Sequence, residues 1–146
     1  MPAPRTTPIL QAALVDLIDL SLLAKQAHWN VRGTNFRSVH LELDEVIDQV
    51  RVNSDDVAER LAAVGASPDG RASTVASTSK VPSIEPGPIN AAVVVAEFAS
   101  RISEAARRIE TALPELDEDM PSQDLLIEVV AGLDKAAWML RSQTLS

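Results

Sequence analysis

The sequence predicts an all-α fold, a bundle of four helices in which one long crossover joins the second helix to the third. Apolar residues make up 46% of the 146-residue chain but aromatic residues only 3%, so the core consists of Ala, Leu and Val side chains, as is typical of packed helices. Apolar residues recur at intervals of three and four along four segments, and no segment alternates as a strand does. This length predicts a single domain, residues 1 to 146.

The first helix is predicted by its end signals and its apolar stripe. Thr7 followed by Pro8 is typical of an N-cap with proline at the first helical position. The apolar stripe then continues to about Val31, and Gly33 ends it. His28 therefore lies near the end of this helix.

The second helix is predicted over residues 36 to 64, with Gly65 as its C-cap. The short turn before it requires the first two helices to be antiparallel. Residues 66 to 88 are rich in Ser, Pro and Gly and form the long crossover, in which residues 74 to 80 are expected to form a short helix. Such a crossover allows the second and third helices to run parallel.

The last two helices follow the crossover. The third is predicted over residues 89 to 113 and ends at Pro114. Ser122 is expected to cap the fourth helix. Trp138, on that helix, is expected to lie in the core. The inward face of the fourth helix is predicted to consist of Leu126, Val129, Val130, Leu133, Ala137 and Leu140.

Four residues of metal-ligand type share one stripe of the second helix. With His40 at zero, Asp44 lies at about 40°, Asp55 at about 60° and Glu59 at about 100° around the helix axis. The apolar residues of this helix cluster between roughly 240° and 300°, which is the face turned to the core. The stripe therefore points away from the core of its own subunit.

One metal ion cannot reach all four residues of the stripe within one chain. Asp44 and Asp55 are about 16 Å apart along the helix, and His40 and Glu59 about 28 Å. The two pairs are symmetric in the sequence, so a two-fold axis crossing the helix between them sets His40 and Asp44 of one chain against Glu59 and Asp55 of an antiparallel partner. The spacing therefore predicts two identical metal sites per dimer.

The same two-fold axis pairs Asp48 with Arg51 and Ile47 with Val52. One pair has opposite charges and the other is apolar, as a self-complementary interface requires. From the residues alone, alternatives remain open: an exposed His–Asp pair beside a solvated acidic face, or a structural helical bundle that binds no metal. By their type alone, histidine and carboxylate ligands suit Fe(II), Mn(II) or Zn(II).

The sequence resembles the Dps family, the "DNA-binding protein from starved cells" branch of the ferritin-like superfamily. The resemblance covers nearly the whole chain. It rests on the spacing HWN-x9-H-x3-D-x10-D-x3-E, which begins at His28, and on the run LDKAAWML near the C-terminus. It implies a ferritin-like four-helix bundle that assembles into a hollow dodecamer. It also implies a ferroxidase that oxidises Fe(II), preferentially with hydrogen peroxide, and stores the ferric product, with roles in iron homeostasis and oxidative stress.

The resemblance assigns the metal ligands of this ferroxidase. His28, His40 and Asp44 would come from one subunit, and Asp55 and Glu59 from its two-fold mate. An intrasubunit di-iron site of the ferritin type is excluded, because it needs a Glu-x-x-His motif on each of two helices and the chain has no histidine beyond His40.

Four further residues are given a role by the resemblance. Trp29 would take up oxidising equivalents beside the site, although packing is the alternative role for an indole. Asp119, Asp124 and Glu128 match the acidic positions that line the three-fold pores through which iron enters Dps shells. Without the resemblance, acids near a helix N-terminus are equally well explained as complementing the helix dipole.

The charge of the chain favours cations over nucleic acid as its partner. The net charge is −8, and the sequence has no cysteine, no signal-like N-terminus and no long apolar run, so we expect a soluble, cytoplasmic protein without a membrane partner. The alternative function is a nucleoid-associated DNA binder with iron oxidation secondary. Arg5 and Arg141 are the only cations near the two ends, so we expect weak DNA binding at most.

Overall fold

The computed structural model describes residues 4 to 143, and these form a helical bundle. Four long helices and a short helix in the crossover confirm the predicted fold class. The elements in chain order are α1 (Thr6–Asn30), β1 (Val31–Arg32), α2 (Phe36–Ala63), α3 (Ala72–Thr78), β2 (Ile89–Asn90), α4 (Ala91–Ala112), a 3-10 turn (Leu113–Leu116) and α5 (Met120–Arg141).

The core lies between the four long helices. As predicted, the apolar stripe of α2 is buried, except that Val64 is only half-buried. The prediction for Trp138 was wrong, because 57% of its surface is exposed on α5. The largest fully buried side chains are Phe98, Leu10, Leu17, Leu20, Leu43, Ile47, Leu61, Ile102, Leu116, Leu126, Leu133 and Leu140.

The starts of α1 and α5 differ from the predicted ones. The N-cap of α1 is Arg5 instead of Thr7, and Arg5 makes no side-chain capping hydrogen bond. Thr6 is fully buried, and its hydroxyl donates to Asp119 Oδ2 at 2.9 Å. Asp119 is the N-cap of α5, and its carboxylate accepts from the backbone N–H of Ser122. Tertiary contact, in addition to local sequence, therefore sets both helix starts.

Two short strands, which the sequence did not predict, join the α1–α2 turn to the start of α4. β1 and β2 pair in parallel, with Val31 opposite Ile89 and Arg32 opposite Asn90. Gly33 follows with a φ of +99°, and a Cβ there would lie 3.2 Å from the Asn90 side chain. Two residues are too few to show the alternation from which a strand is predicted.

The crossover between α2 and α4 is held to the bundle by side chains of α1 and α4. Each of these contacts is a hydrogen bond that involves the crossover backbone. They are Gln11 with the backbone O and N of Asp69 (2.8 and 3.0 Å), Asp16 Oδ1 with the N–H of Lys80 (3.0 Å), and Arg101 with the carbonyls of Pro82 and Ser83 (both 2.8 Å).

Among the described residues, α1 is long and apolar enough by composition to cross a membrane, with a mean hydropathy of 1.5 over its most apolar window. More than half of that window, 56%, is buried inside the subunit. Core helices of soluble proteins have the same composition, so the apolar character of α1 is explained by its contacts with the other helices.

Candidate metal centre

The two histidines of the chain lock the end of α1 to the beginning of α2. His28 Nδ1 lies 2.7 Å from the backbone carbonyl oxygen of His40, and His40 Nδ1 lies 2.7 Å from that of His28. A carbonyl oxygen only accepts, so both Nδ1 atoms carry the proton. In the neutral ring, Nε2 then keeps its lone pair free. Both imidazoles are therefore held in a tautomer that binds a metal through Nε2.

Ring stacking reinforces this arrangement. The centroids of the His28 and His40 rings are 3.6 Å apart, with 14° between their planes. On its other side, His40 stacks with Phe36, at 5.0 Å and 27°. His28 is buried, with 7% of its surface exposed, whereas His40 is half-buried. The rings therefore have little freedom to rotate.

Asp44 completes this half of the site from the next turn of α2. Its Oδ1 lies 3.6 Å from His28 Nδ1 and accepts a hydrogen bond of 2.8 Å from Lys25 Nζ on α1. The hydrogen bond from Lys25 outweighs partial desolvation and, with the nearby histidines, lowers the pKa of Asp44. The carboxylate is therefore ionised in the pH range in which neutral imidazoles bind metal.

Asp55 and Glu59 lie on the second half of α2, and both are exposed. Neither makes a hydrogen bond or an ion pair with another residue between 4 and 143. Within that described range, no group of three His, Cys, Asp or Glu side chains is arranged to hold a metal ion. His28, His40 and Asp44 are neighbours in one subunit, but they do not form a metal site by themselves, and Asp55 and Glu59 lie farther along α2.

Exposed apolar side chains surround the acidic stripe. On α2, Leu41 and Val52 are 45% and 61% exposed and lie at about 100° and 120° around the axis, the same side as Asp55 and Glu59. On α1, Leu22 is 51% exposed and Trp29, directly after His28, is 67% exposed. An apolar surface of this kind, interleaved with unpaired acids, is typical of an interface.

The three acidic residues expected at the pore are separated by the structure. Asp124 and Glu128 are exposed on one face of α5. Asp119 is 5% exposed. Its carboxylate accepts hydrogen bonds from the Thr6 hydroxyl (2.9 Å), the Arg60 guanidinium (3.0 Å) and the Ser122 hydroxyl (2.7 Å). Asp119 therefore has a structural role inside the subunit, which the sequence did not indicate.

Two cations near the site were not identified from the sequence. Lys25 contacts Asp44, and Arg60, the neighbour of Glu59, contacts Asp119. Each of these contacts joins two different helices, through residues that lie 19 and 59 positions apart, so no spacing within one helix could reveal it. The position of Lys25 three residues before His28, and so on the same side of α1, was the one available signal.

Comparison with known proteins agrees with this architecture. The family model described as "Ferritin-like domain" matches residues 8–144. The chain is 35% identical to "DNA protection during starvation protein 2" of Deinococcus radiodurans, over 94% of this chain but only 58% of the relative. It is 32% identical to "DNA protection during starvation protein" of Agrobacterium fabrum, over 92% of this chain and 84% of the relative.

A solved structure, that of Dps from Microbacterium arborescens in the high iron form, is also similar. It superposes with a TM-score of 0.89 at 34% identity, covering 94% of this chain and 91% of that one. The agreement therefore includes the helices, their order and the crossover. The chain belongs to the Dps family of ferritin-like proteins.

Proposed function

We propose that this protein is a ferroxidase and iron-storage protein. It oxidises Fe(II), with hydrogen peroxide as the oxidant, at sites shared between two subunits and stores the ferric product inside a cytoplasmic shell of twelve subunits. The observation that carries the proposal is the interlocked pair of His28 and His40 beside Asp44. The Nδ1 atoms of both rings are occupied, which leaves Nε2 of each for a metal ion, and the Asp44 carboxylate lies 3.6 Å from His28 Nδ1.

The donor set supports iron as the substrate. Imidazole and carboxylate together suit Fe(II), Mn(II) and Zn(II). Iron is favoured among these because the chain belongs to the ferritin-like proteins and the similar Microbacterium structure is described as a high iron form. In the reaction each Fe(II) gives up one electron and each peroxide molecule takes up two. The carboxylates and neutral imidazoles stabilise the higher positive charge of the ferric product.

The second subunit is proposed to supply Asp55 and Glu59. A two-fold axis across the middle of α2 brings these unpaired carboxylates to the half-site of the partner, and Asp48 then faces Arg51. The exposed Leu41 and Val52 lie on the same side of α2, so their burial would favour such a dimer. The dimer would thus complete two sites at once.

Subunit mixing tests the shared site. A variant with His40→Ala and Asp44→Ala is refolded with one carrying Asp55→Ala and Glu59→Ala, and Fe(II) oxidation is followed by ferric absorbance. Each mixed dimer contains one intact site, so about a quarter of the sites should recover on random pairing. The matched control mixes the single variants His40→Ala and Asp44→Ala, which lie in the same half-site, so no site recovers. Equal activity in the two mixtures would show that the site is not shared.

Iron is proposed to enter through acidic pores at the N-terminal end of α5. Asp124 and Glu128 are exposed one turn apart, and Met120 and Ile127 beside them are 70% and 46% exposed. Three copies around an axis would bury these apolar residues and focus negative potential on the incoming cations. Asp119, with its oxygens occupied inside the subunit, would contribute by positioning the end of α5.

DNA binding is the second candidate function, and the relatives' name is the reason for testing it. Twelve copies of −8 would carry −96, which repels a duplex at close range. The one cation of the N-terminal arm, Arg5, already lies 3.2 Å from Glu115. We therefore expect weak binding that is lost by about 0.15 M salt. A gel-shift experiment over a salt series distinguishes weak from strong DNA binding. The same experiment is done with a variant that lacks residues 1 to 5 but keeps the buried Thr6.

A further inference from the structure

Lys25 is the residue beside the proposed metal centre that has no assigned role. Its ammonium nitrogen lies 2.8 Å from Asp44 Oδ1, and the two side chains are 27% and 42% exposed. Lys25 and His28 are three residues apart on α1, so they lie on the same side of that helix and face Asp44 together. A ligand carboxylate thus has a protein cation on one of its two oxygens.

This contact has a direct consequence for cations that bind at Asp44. A carboxylate oxygen that accepts from an ammonium group is less available to a metal ion, and two cations at the same oxygen repel each other strongly at such short distances. Lys25 engages Oδ1 only, so the contact leaves Oδ2 to the first metal ion. A second ion that shares Asp44 would have to displace the ammonium group.

We infer that Lys25 is a positioning residue that sets how many metal ions each site holds. Its ammonium group, hydrogen-bonded to Asp44 Oδ1, takes the place of a second cation, so that one ion binds tightly and the second binds only after Lys25 has moved away. The lysine side chain suits this role, because a compact charge on a flexible stem can leave without moving the helix. The inference rests on the proposed function, since it requires a metal ion at Asp44.

Calorimetry with Co(II), a stand-in for Fe(II) that air does not oxidise, tests this inference on the assembled protein. Lys25→Met removes the charge and keeps the length of the side chain, and Lys25→Gln, a second neutral variant, is measured beside it. Lys25→Arg keeps the charge. Lys135→Met, at an exposed lysine on α5, is the matched control for the loss of one positive charge. Binding that persists in Asp44→Asn is subtracted as surface binding.

We expect the wild type to bind one Co(II) per site tightly and a second weakly. The second event should be tighter by at least about tenfold in Lys25→Met and Lys25→Gln, because a cation at contact distance has been removed. Lys25→Arg and Lys135→Met should match the wild type. Unchanged stoichiometry and affinity in both neutral variants overturns the inference while the metal site stands. A wild type that binds no more Co(II) than Asp44→Asn overturns the metal site and the inference together.

Discussion

His28 and His40 each place Nδ1 2.7 Å from the backbone carbonyl oxygen of the other, which joins the last turn of α1 to the first turns of α2 by two reciprocal hydrogen bonds. Because each ring is oriented by the backbone of the other, neither histidine is independent. A substitution at one therefore alters the orientation of the other as well as removing a ligand.

The stack of Phe36 on His40 supplies the first prediction. Phe36→Ala should weaken Zn(II) affinity by about tenfold, because groups that orient a metal-binding histidine contribute to affinity by this amount. A competition assay with a zinc chelator measures the change. Val93→Ala on α4 is the control, since Val93 and Phe36 are similarly exposed, at 45% and 43%. Equal affinities in the two variants would mean that the stack has no part in orienting His40.

The second prediction concerns the two tryptophans. Trp29 directly follows His28, whereas Trp138 lines a groove with Asn35, Ser38 and Glu42, on the side of α2 away from His40. Their exposed fractions, 67% and 57%, are similar, so solvent access alone would oxidise them to similar extents. After Fe(II) and peroxide are added, peptide mass spectrometry should find oxidation concentrated at Trp29. Equal oxidation of both indoles, or the same pattern with peroxide alone, would contradict a role for Trp29 at the site.

The third prediction concerns iron entry. Asp124→Asn should slow Fe(II) oxidation at low iron, and the difference from the wild type should shrink as ionic strength rises, because salt screens an exposed charge. Assembly should be nearly unaffected, since a charge at an exposed helix terminus contributes only about 0.3–1 kcal/mol. Stopped-flow absorbance over a salt series measures the effect. An initial rate equal to that of the wild type at every salt concentration would argue against this entry route.

Asp119 supplies the fourth prediction, which concerns stability. Burial raises its pKa, but the hydrogen bonds from Ser122, Thr6 and Arg60 outweigh burial, and the pKa lies below the ordinary value. A carboxyl group with a lowered folded-state pKa stabilises the protein fully above its unfolded pKa of about 3.9, and this contribution is lost as the pH falls through the folded-state value.

We therefore expect Asp119→Asn to lower the free energy of unfolding by about 3 kcal/mol at neutral pH, because Arg60 loses its buried partner. Below about pH 4 the wild type should lose this advantage. Thermal unfolding of both proteins across this pH range measures the difference. Other acids, such as Asp69, whose pKa is lowered by Arg71, also make stability depend on pH. Their contribution is the same in both proteins, so it cancels in the difference between them. A difference that does not vary with pH would show that the ionised form of Asp119 is not what stabilises the protein.

The helices could be predicted because their signals are local, and the one-turn spacing of His40 and Asp44 puts them on one side of α2, whereas His28 was assigned only through the family resemblance. The period of the apolar residues and the stops at Gly33 and Pro114 placed the helix ends within a few residues, and the angles around α2 showed that its acidic stripe avoids the core. Trp138 shows the limit of this reasoning. An apolar side chain near the end of a helix has no local signal that distinguishes a buried position from an exposed one.

The contacts between helices could not be predicted. The hydrogen bonds of Thr6 with Asp119 and of Lys25 with Asp44 join residues 113 and 19 positions apart, and each depends on how two helices pack. The sequence therefore indicated which residues could bind iron. It did not indicate that Lys25 pairs with Asp44, or that Asp119 is buried in hydrogen bonds inside the subunit.

The anchoring of the crossover bears on how the chain resists degradation. A protease binds its substrate as an extended segment, so a long irregular connection is the usual place for cleavage. Here the backbone is tied to the bundle at Asp69, Lys80, Pro82 and Ser83 and is paired at Ile89, and α3 occupies most of the interval after Asp69. No long stretch is free to extend into a protease cleft without breaking these bonds. The crossover, although rich in residues typical of linkers, should be as resistant to proteolysis as the helices that it joins.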